Sequence, residues 1–569
     1  MTTFHKSRYT IDIPNIDLLS YIFSSGDKKF RQKPLYYDAH QPHRCYSLAE
    51  GEVLAKRVGK GLQNLGIKEN DKVVLYSGNN LYFPVLLWGV IASGGIFSAV
   101  SQTASVGELE TQLKDLGASI LLTGIDGAET AKKAAASADI PQSRVLIFCD
   151  PEDSDTLCTQ TDLQPWTSFW ASSRDVESWS WKKSQDPTYL VNKTVVINYS
   201  SGTTGTPKGV EITHANIVAN SSQLVFVRTL WNPNDPVSVA RHERLGRSGE
   251  RWLAPLPMYH AYGQIYYCVN APRTQAKVFV MRSYTITSLL HYLDIYRITL
   301  LTGVPTILIQ LSKQPPGKYN LNSLEYALTG SAPLGPATGQ LIERDFLPPG
   351  LPLKQGWGMT ETTNSISGFS PDDKNVPESV GFLNPNCEAK VVPVEGQDWK
   401  EDIPTGAVAG ELLVYGANIM KGYHNRPQQT EETLLREDGK KWLRTGDVAY
   451  LDTEGRIYII DRLKALIKVK GLQVSPAELE AAILLHPGVA DVSVVGAKTP
   501  DGAEYPRAFV VKKDEGITAR EVFNIISGKF SKHKHLTGGV FFIDEIPKTG
   551  SGKVMKRMLP DYPLRLSKM

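Results

Sequence analysis

The run Tyr199-Ser-Ser-Gly-Thr-Thr-Gly-Thr-Pro-Lys-Gly209 restricts the fold more than any other stretch of this 569-residue chain. It follows Thr194-Val-Val-Ile-Asn198, a β-branched segment that reads as a buried strand, and precedes a helix predicted over residues 214–227. Three glycines and five Ser or Thr hydroxyls in eleven residues let backbone N–H groups turn inward on an anion, and Lys208 adds a positive charge. That composition suits nucleotide phosphates. It is not a Walker P-loop, because Lys208 follows Pro207 and is followed by Gly209.

Around this loop, helix-like stretches alternate with apolar runs at residues 73–76, 96–100, 120–122 and 145–148, and later at 278–281, 298–301 and 326–329. The alternation predicts an α/β fold with a large N-terminal lobe of doubly wound, mainly parallel sheets. The run 83–100 is long enough to cross a bilayer, but Pro84, Gly89, Gly94 and Gly95 interrupt it. It reads as a buried helix turning into a buried strand, so no transmembrane segment is expected. Residues 150–186, polar and dotted with tryptophans, read as a surface excursion. Residues 231–250, rich in Pro, Asn, Arg and Gly, read as a loop that is either a solvated insertion or a lid over a substrate mouth. Short strands between Gly and Pro turns over 381–458 predict a small β-barrel-like subdomain.

Beyond Lys464 a small α+β C-terminal domain is expected, giving domains 1–463 and 464–569. It opens with a basic hairpin at 467–474. A helix start follows, with Ser475 as N-cap, Pro476 in the first position and Glu478 completing a capping box.

A net charge of +3, from 62 basic and 59 acidic residues, argues against a nucleic-acid surface. Five scattered cysteines without a C-x-x-C pair predict a reducing compartment and no structural zinc. The N-terminus lacks a secretory pattern. Ser567-Lys568-Met569 resembles the S-K-L address, so import into peroxisomes through its receptor is expected, with a cytoplasmic location otherwise. Oligomeric state is not legible.

The glycine-rich loop resembles the signature loop of the adenylate-forming superfamily, which groups acyl- and aryl-CoA synthetases, peptide-synthetase adenylation domains and beetle luciferases. Further segments match in order: Pro257-Met-Tyr-His-Ala-Tyr-Gly263, Gly330-Ser-Ala-Pro-Leu334, Leu353-Lys-Gln-Gly-Trp-Gly-Met-Thr-Glu361, Trp442-Leu-Arg-Thr-Gly-Asp447 and Ile546-Pro-Lys-Thr-Gly-Ser-Gly-Lys553. The resemblance implies an ATP-dependent carboxylic acid:CoA ligase, similar to 4-coumarate:CoA-ligase-like enzymes, with ATP, Mg²⁺ and CoA as co-substrates and cofactor. An adenylating enzyme that loads a carrier protein or oxidises its adenylate is the alternative. A non-catalytic nucleotide-binding protein is a third reading, against which the presence of Lys553, Glu361 and Asp447 counts.

By the same resemblance, Ser200, Ser201, Gly202, Thr203, Thr204, Gly205 and Lys208 hold the phosphates, with Thr203 taking part in catalysis. Gln355, Gly356 and Trp357 wall the purine, Thr360 touches phosphate, and Glu361 holds Mg²⁺, a metal that needs few carboxylates when phosphate oxygens complete its shell. Asp447 grips the ribose hydroxyls, joined by Arg462 and Lys464. His260 is gate and carboxylate contact, and Ala261, Tyr262, Gly263, Tyr266, Val304, Gly330, Ser331 and Ala332 surround the acyl group. Tyr262, Tyr266, Trp357 and Val304 suggest an aromatic-walled pocket for an aryl, arylalkanoic or medium-chain fatty acid. Lys553 serves adenylation. The C-terminal domain then turns about Lys464, bringing Lys468, Lys470, Gly471 and Gln473 to shape a thiol tunnel. Arg282 stands near where relatives place a basic residue for the CoA phosphates.

Overall fold

The computed structural model describes the chain except at residues 1–2, 155, 157–159, 201–206, 395–402, 470–471, 499–503, 514–515, 531, 549–553 and 561–569, and except for the side chains of Lys468, Leu472, Gln473 and Arg557. The apolar runs assemble into two large sheets. In one, strands Thr194–Ser200, Ile96–Val100, Lys72–Tyr76, Ala118–Thr123, Val145–Ile147 and Gln164–Pro165 lie parallel in that order. In the other, Leu353–Gln355, Tyr326–Thr329, Leu300–Gly303, Arg251–Ala254, Lys277–Val280 and Pro34–Asp38 are likewise parallel. Both read as continuous apolar runs because helices cover both faces.

The run 83–100 folds as expected, into helix Phe83–Ala92, a left-handed Gly94 (φ 89°) and strand Ile96–Val100. Among the described residues no helix is long and apolar enough to cross a membrane.

The small β subdomain is a six-stranded antiparallel sheet built on the long strand Lys440–Leu451, and the N-terminal strand Thr3–Lys6 forms one edge. The C-terminal region has its own apolar core, with Val474, Leu479, Ile483, Val494, Val510 and Ile526 between helices and a three-stranded sheet.

Three expectations need correction, and one strand lies where none is expected, between the glycine-rich loop and the helix that opens at His214. Val210 and Ile212 alternate with polar neighbours, so Lys208–Thr213 forms a strand paired antiparallel with Thr194–Ser200.

Residues 150–186 are not a surface excursion. Trp166 is fully buried, donating to the Cys149 carbonyl at 2.7 Å, and Trp181 is buried against Asp17. Burying roughly 200 Å² of indole contributes about 5 kcal/mol, which a polar composition disguises.

The segment 231–250 contains helix Pro236–Ser248, capped by Asp235 and stopped at Gly249 (φ 67°). Arg241 pairs with Asp372 at 2.8 Å and Arg244 with Glu325, so the insertion is fastened near the amino-terminal ends of the sheet strands. A lid would have to lie at their carboxyl ends. The insertion is therefore not one.

Ser475 accepts from the Glu478 N–H at 3.4 Å, but the Glu478 carboxylate turns to Lys534 at 2.9 Å, leaving the capping box half made.

Helix His214–Thr229 starts on a full capping box between Thr213 and Asn216. His214 itself is 5 % exposed, and its Nδ1 accepts the Leu18 N–H at 3.1 Å. Burial holds its imidazole down to about 4. A folded-state value below the unfolded one means the neutral ring adds stability above pH 6.5, lost as pH falls toward 4. The expected loss is about 2–3 kcal/mol. Urea unfolding at pH 7 and pH 4.5 should show it, and His214→Gln should shrink the difference between the two. An unchanged difference would contradict the assignment.

Candidate active site

Four parallel strands deliver their carboxyl ends to one cavity of about 190 Å³. Ser200 closes strand Thr194–Ser200, Val304 follows Leu300–Gly303, Gly330 follows Tyr326–Thr329, and Gly356 follows Leu353–Gln355; all four line the cavity. Open α/β sheets bind ligands at such ends. Gly358 must lack a side chain, since a Cβ there would lie 1.9 Å from the Asn364 carbonyl oxygen.

His260, Ala261, Tyr262 and Tyr266 form a second wall. His260 caps the short helix Ala261–Ile265, its carbonyl accepting the Gln264 N–H at 2.8 Å, and its ring lies 5.6 Å from that of Tyr259. Tyr262 and Tyr266 meet edge to face at 5.1 Å, and burial pushes both phenols well up, so they remain neutral. Ser331, in the left-handed region at φ 74°, and Ala332 complete the acyl side.

Gly263 does not reach the cavity. A Cβ on it would lie 2.4 Å from the Pro257 carbonyl oxygen, so it packs behind the wall and permits the close turn. Gln355 also stands back: its Oε1 accepts the Leu334 N–H at 3.1 Å, bracing the 330–334 turn rather than presenting the amide to the cavity.

Trp357, Thr360, Glu361 and Arg462 line the same cavity. Asp447 and Arg462 are cross-strand partners, with Oδ1 2.7 Å from Nε, and Asp447 Oδ2 accepts the Trp357 indole N–H at 3.0 Å. One buried carboxylate thus fixes the ring and the cation. Glu361, 5 % exposed, accepts at Oε1 from Ser200 at 3.1 Å and from the Tyr423 hydroxyl at 3.0 Å. Lys208 Nζ sits 4.8 Å above the Tyr423 ring. Burial first, and Glu361 second, raise the Tyr423 phenol, which keeps it a donor. Of Lys208, Glu361 and Asp447, only Glu361 lines the cavity; Lys208 stands behind it against the Tyr423 ring, and Asp447 against Trp357 and Arg462.

Thr329 Oγ1, Asn364 Nδ2 and the Tyr262 hydroxyl are buried with no hydrogen-bond partner among the described residues and belong to cavity-lining residues. Such atoms call for a polar ligand. A nucleotide fits this donor set, and a magnesium ion fits a single carboxylate with phosphate oxygens as its other ligands.

Lys464 is exposed in the turn just after strand Ile457–Arg462 and does not line the cavity. Lys468 and Gln473 face each other across the hairpin Ile467–Val469 and Leu472–Val474. Ser201, Gly202, Thr203, Thr204, Gly205, Lys470, Gly471, Lys553 and the 567–569 tail lie outside the described residues. Arg282 is held between Asp38 and Asp150. Its charge is already compensated, so it is not the free cation expected for CoA phosphates. Tyr423 and Asn364 escape sequence reading because the strand pairing of Gly422–Tyr423 with Val210 and Glu211, and the turn after Glu361, bring them here, while Thr329 arrives at the carboxyl end of strand Tyr326–Thr329.

The AMP-binding enzyme profile matches residues 24–424, and the AMP-binding enzyme C-terminal domain profile matches residues 478–553. The chain is 33 % identical over 563 residues to phenylacetyl-CoA ligase epaB of Aspergillus niger, covering 98 % of this chain and 99 % of the relative. It is 31 % identical over 564 residues to 4-coumarate–CoA ligase of Pinus taeda, covering 97 % of each. Its fold aligns with ATP-bound MatB from Rhodopseudomonas palustris at a TM-score of 0.76 and 25 % identity, over 95 % of this chain and 98 % of that one. Matches of this extent, over both lobes, show that the chain belongs to the AMP-binding enzymes of the adenylate-forming superfamily.

Proposed function

We infer that the protein is an ATP-dependent acid:CoA ligase. The observation that carries this reading is the single cleft in which His260 and two tyrosines face Glu361, Arg462 and Trp357. In the first half-reaction a carboxylate oxygen bonds to the α-phosphorus of ATP and the α–β phosphoanhydride breaks, releasing pyrophosphate. Two anions have to meet, so Lys553, His260 and the loop N–H groups offset their repulsion. Glu361 would hold a magnesium ion, which would supply further charge neutralisation. In the second half-reaction a CoA sulfur attacks the carbonyl carbon, the acyl–phosphate bond breaks and AMP leaves.

Residues 1–463 form the large lobe and 464–569 a small one that turns about Lys464 between the two steps, exchanging Lys553 for the 468–473 stretch. The separate apolar core of the small lobe supports that division. The tyrosine-lined acyl side, and the phenylacetate and coumarate activities in the names of two relatives, favour an aryl or arylalkanoic acid, with medium-chain fatty acids as the next class.

The decisive assay incubates ATP, CoA and a panel of such acids and identifies products by mass. AMP, pyrophosphate and an acyl-CoA in equal amounts are expected; ADP and phosphate would contradict the reading. The tail Ser567-Lys568-Met569 further points to the peroxisome. A fluorescent fusion with the tail free should be punctate and lose that pattern when the tripeptide is deleted; cytosolic fluorescence from the intact tail would count against import.

A further inference from the structure

The acyl side does not end at Tyr266. A second cavity of about 50 Å³ lies beyond it, and Tyr266, Leu328, Gly356 and Ser365 line both. The first cavity opens at the carboxyl ends of the strands, beside Val304 and Gly330; the second reaches their amino ends, at Leu300 and Tyr326. Four residues of strand at about 3.3 Å each make a path of ~13 Å from mouth to floor.

The lining of this second cavity is mostly apolar, but Arg228 and Asn270 belong to it. The Arg228 side chain is 11 % exposed, its Nη2 donates to Glu250 at 2.9 Å, and its guanidinium lies 4.5 Å from the centre of the Tyr326 ring. Its Nε and Nη1 are buried with no partner among the described residues. Asn270 is 3 % exposed, and its Oδ1 is equally buried and unpartnered. Native interiors rarely strand three polar atoms at one spot.

We propose that Arg228 and Asn270 form the far end of the acid-binding site and select acids with a neutral oxygen substituent, above all a hydroxyl, remote from the carboxylate. The inference rests on the ligase reading. Glu250 already neutralises Arg228, so a second carboxylate would be left uncompensated beside the Asn270 oxygen. Nε–H and Nη1–H also point from different edges of the planar guanidinium, so they do not chelate the two oxygens of one carboxylate. A hydroxyl accepts from Arg228 and donates to Asn270, and turning the Asn270 amide over still leaves it a partner. A purely apolar terminus leaves all three atoms stranded.

Arg228 and Glu250 also bracket the inserted helix Pro236–Ser248, so the pair has a structural task as a clasp. The test separates the two. Matched acids are compared by kcat/KM for acid-dependent pyrophosphate release: 3-phenylpropanoate against its 4-hydroxy counterpart, and octanoate against 8-hydroxyoctanoate and octanedioate. The unaltered enzyme should favour each hydroxy acid by about tenfold or more, as for a site whose buried polar groups otherwise go unpaired. Arg228→Lys keeps a charge against Glu250 but removes Nε and Nη1, and Asn270→Leu removes the acceptor; each should bring the ratio to within about threefold of one.

A ratio unchanged in a folded variant, as a clasp or a trapped water would give, overturns the proposal. So does a preference of the unaltered enzyme for octanoate or octanedioate. If one variant fails to fold, the other decides. Pyrophosphate release with no acid at all would instead overturn the ligase reading beneath it.

Discussion

Lys553→Ala is expected to cut acyl-adenylate formation by about a hundredfold or more while leaving thioester formation from supplied acyl-adenylate within severalfold of normal. Only the first half-reaction brings two anions together, so only there does one positioned ammonium stabilise a transition state more than a ground state. The residues flanking its loop, Lys548 and Val554, are bridged, and Lys548 is anchored to Asp491 at 2.5 Å. Gly471 replaced by Trp should show the reverse pattern, with the thiol step failing first. Pre-steady-state measurement of each half-reaction checks both, and equal losses in the two steps would contradict the alternation of the small lobe between them.

Asp447→Asn should lower kcat/KM for ATP about a hundredfold, the scale of losing charge-assisted hydrogen bonds to two ribose hydroxyls. The side chain is 2 % exposed and already serves Arg462 and the Trp357 indole, so an amide would turn a donor toward one of those donors. Folding damage alone would produce a similar loss, and 2′-deoxy-ATP separates the causes. If Asp447 grips the ribose, the unaltered enzyme discriminates against the deoxynucleotide and the variant does so much less. If Asp447 only braces Trp357 and Arg462, the discrimination survives.

The parallel sheets were legible because buried strands leave short, almost wholly apolar runs, as at residues 73–76 and 96–100. Composition misled where a polar segment buried a few large rings. Trp166 and Trp181 sit in a stretch whose average character is that of solvent-exposed chain. The inserted helix was signalled by Asp235-Pro236, an N-cap and first-turn pair, but the surrounding Asn, Gly and Arg residues masked it. The matched motifs located most of the cleft, Trp357, Glu361 and Arg462 among its walls. They misjudged Gly263 and Gln355, which support the walls from behind. Tyr423 and Arg228 carry no local signal: one arrives through a two-residue strand pairing, and the other through an ion pair across the insertion.

The central claim is that the acid is activated by bonding its own oxygen to the α-phosphorus of ATP. Turnover of an acid labelled with ¹⁸O in both carboxylate oxygens, with CoA and ATP, tests it directly. The claim predicts one labelled oxygen in the phosphate of AMP and the other retained in the thioester. Label in inorganic phosphate or pyrophosphate, or unlabelled AMP alongside the thioester, would contradict it.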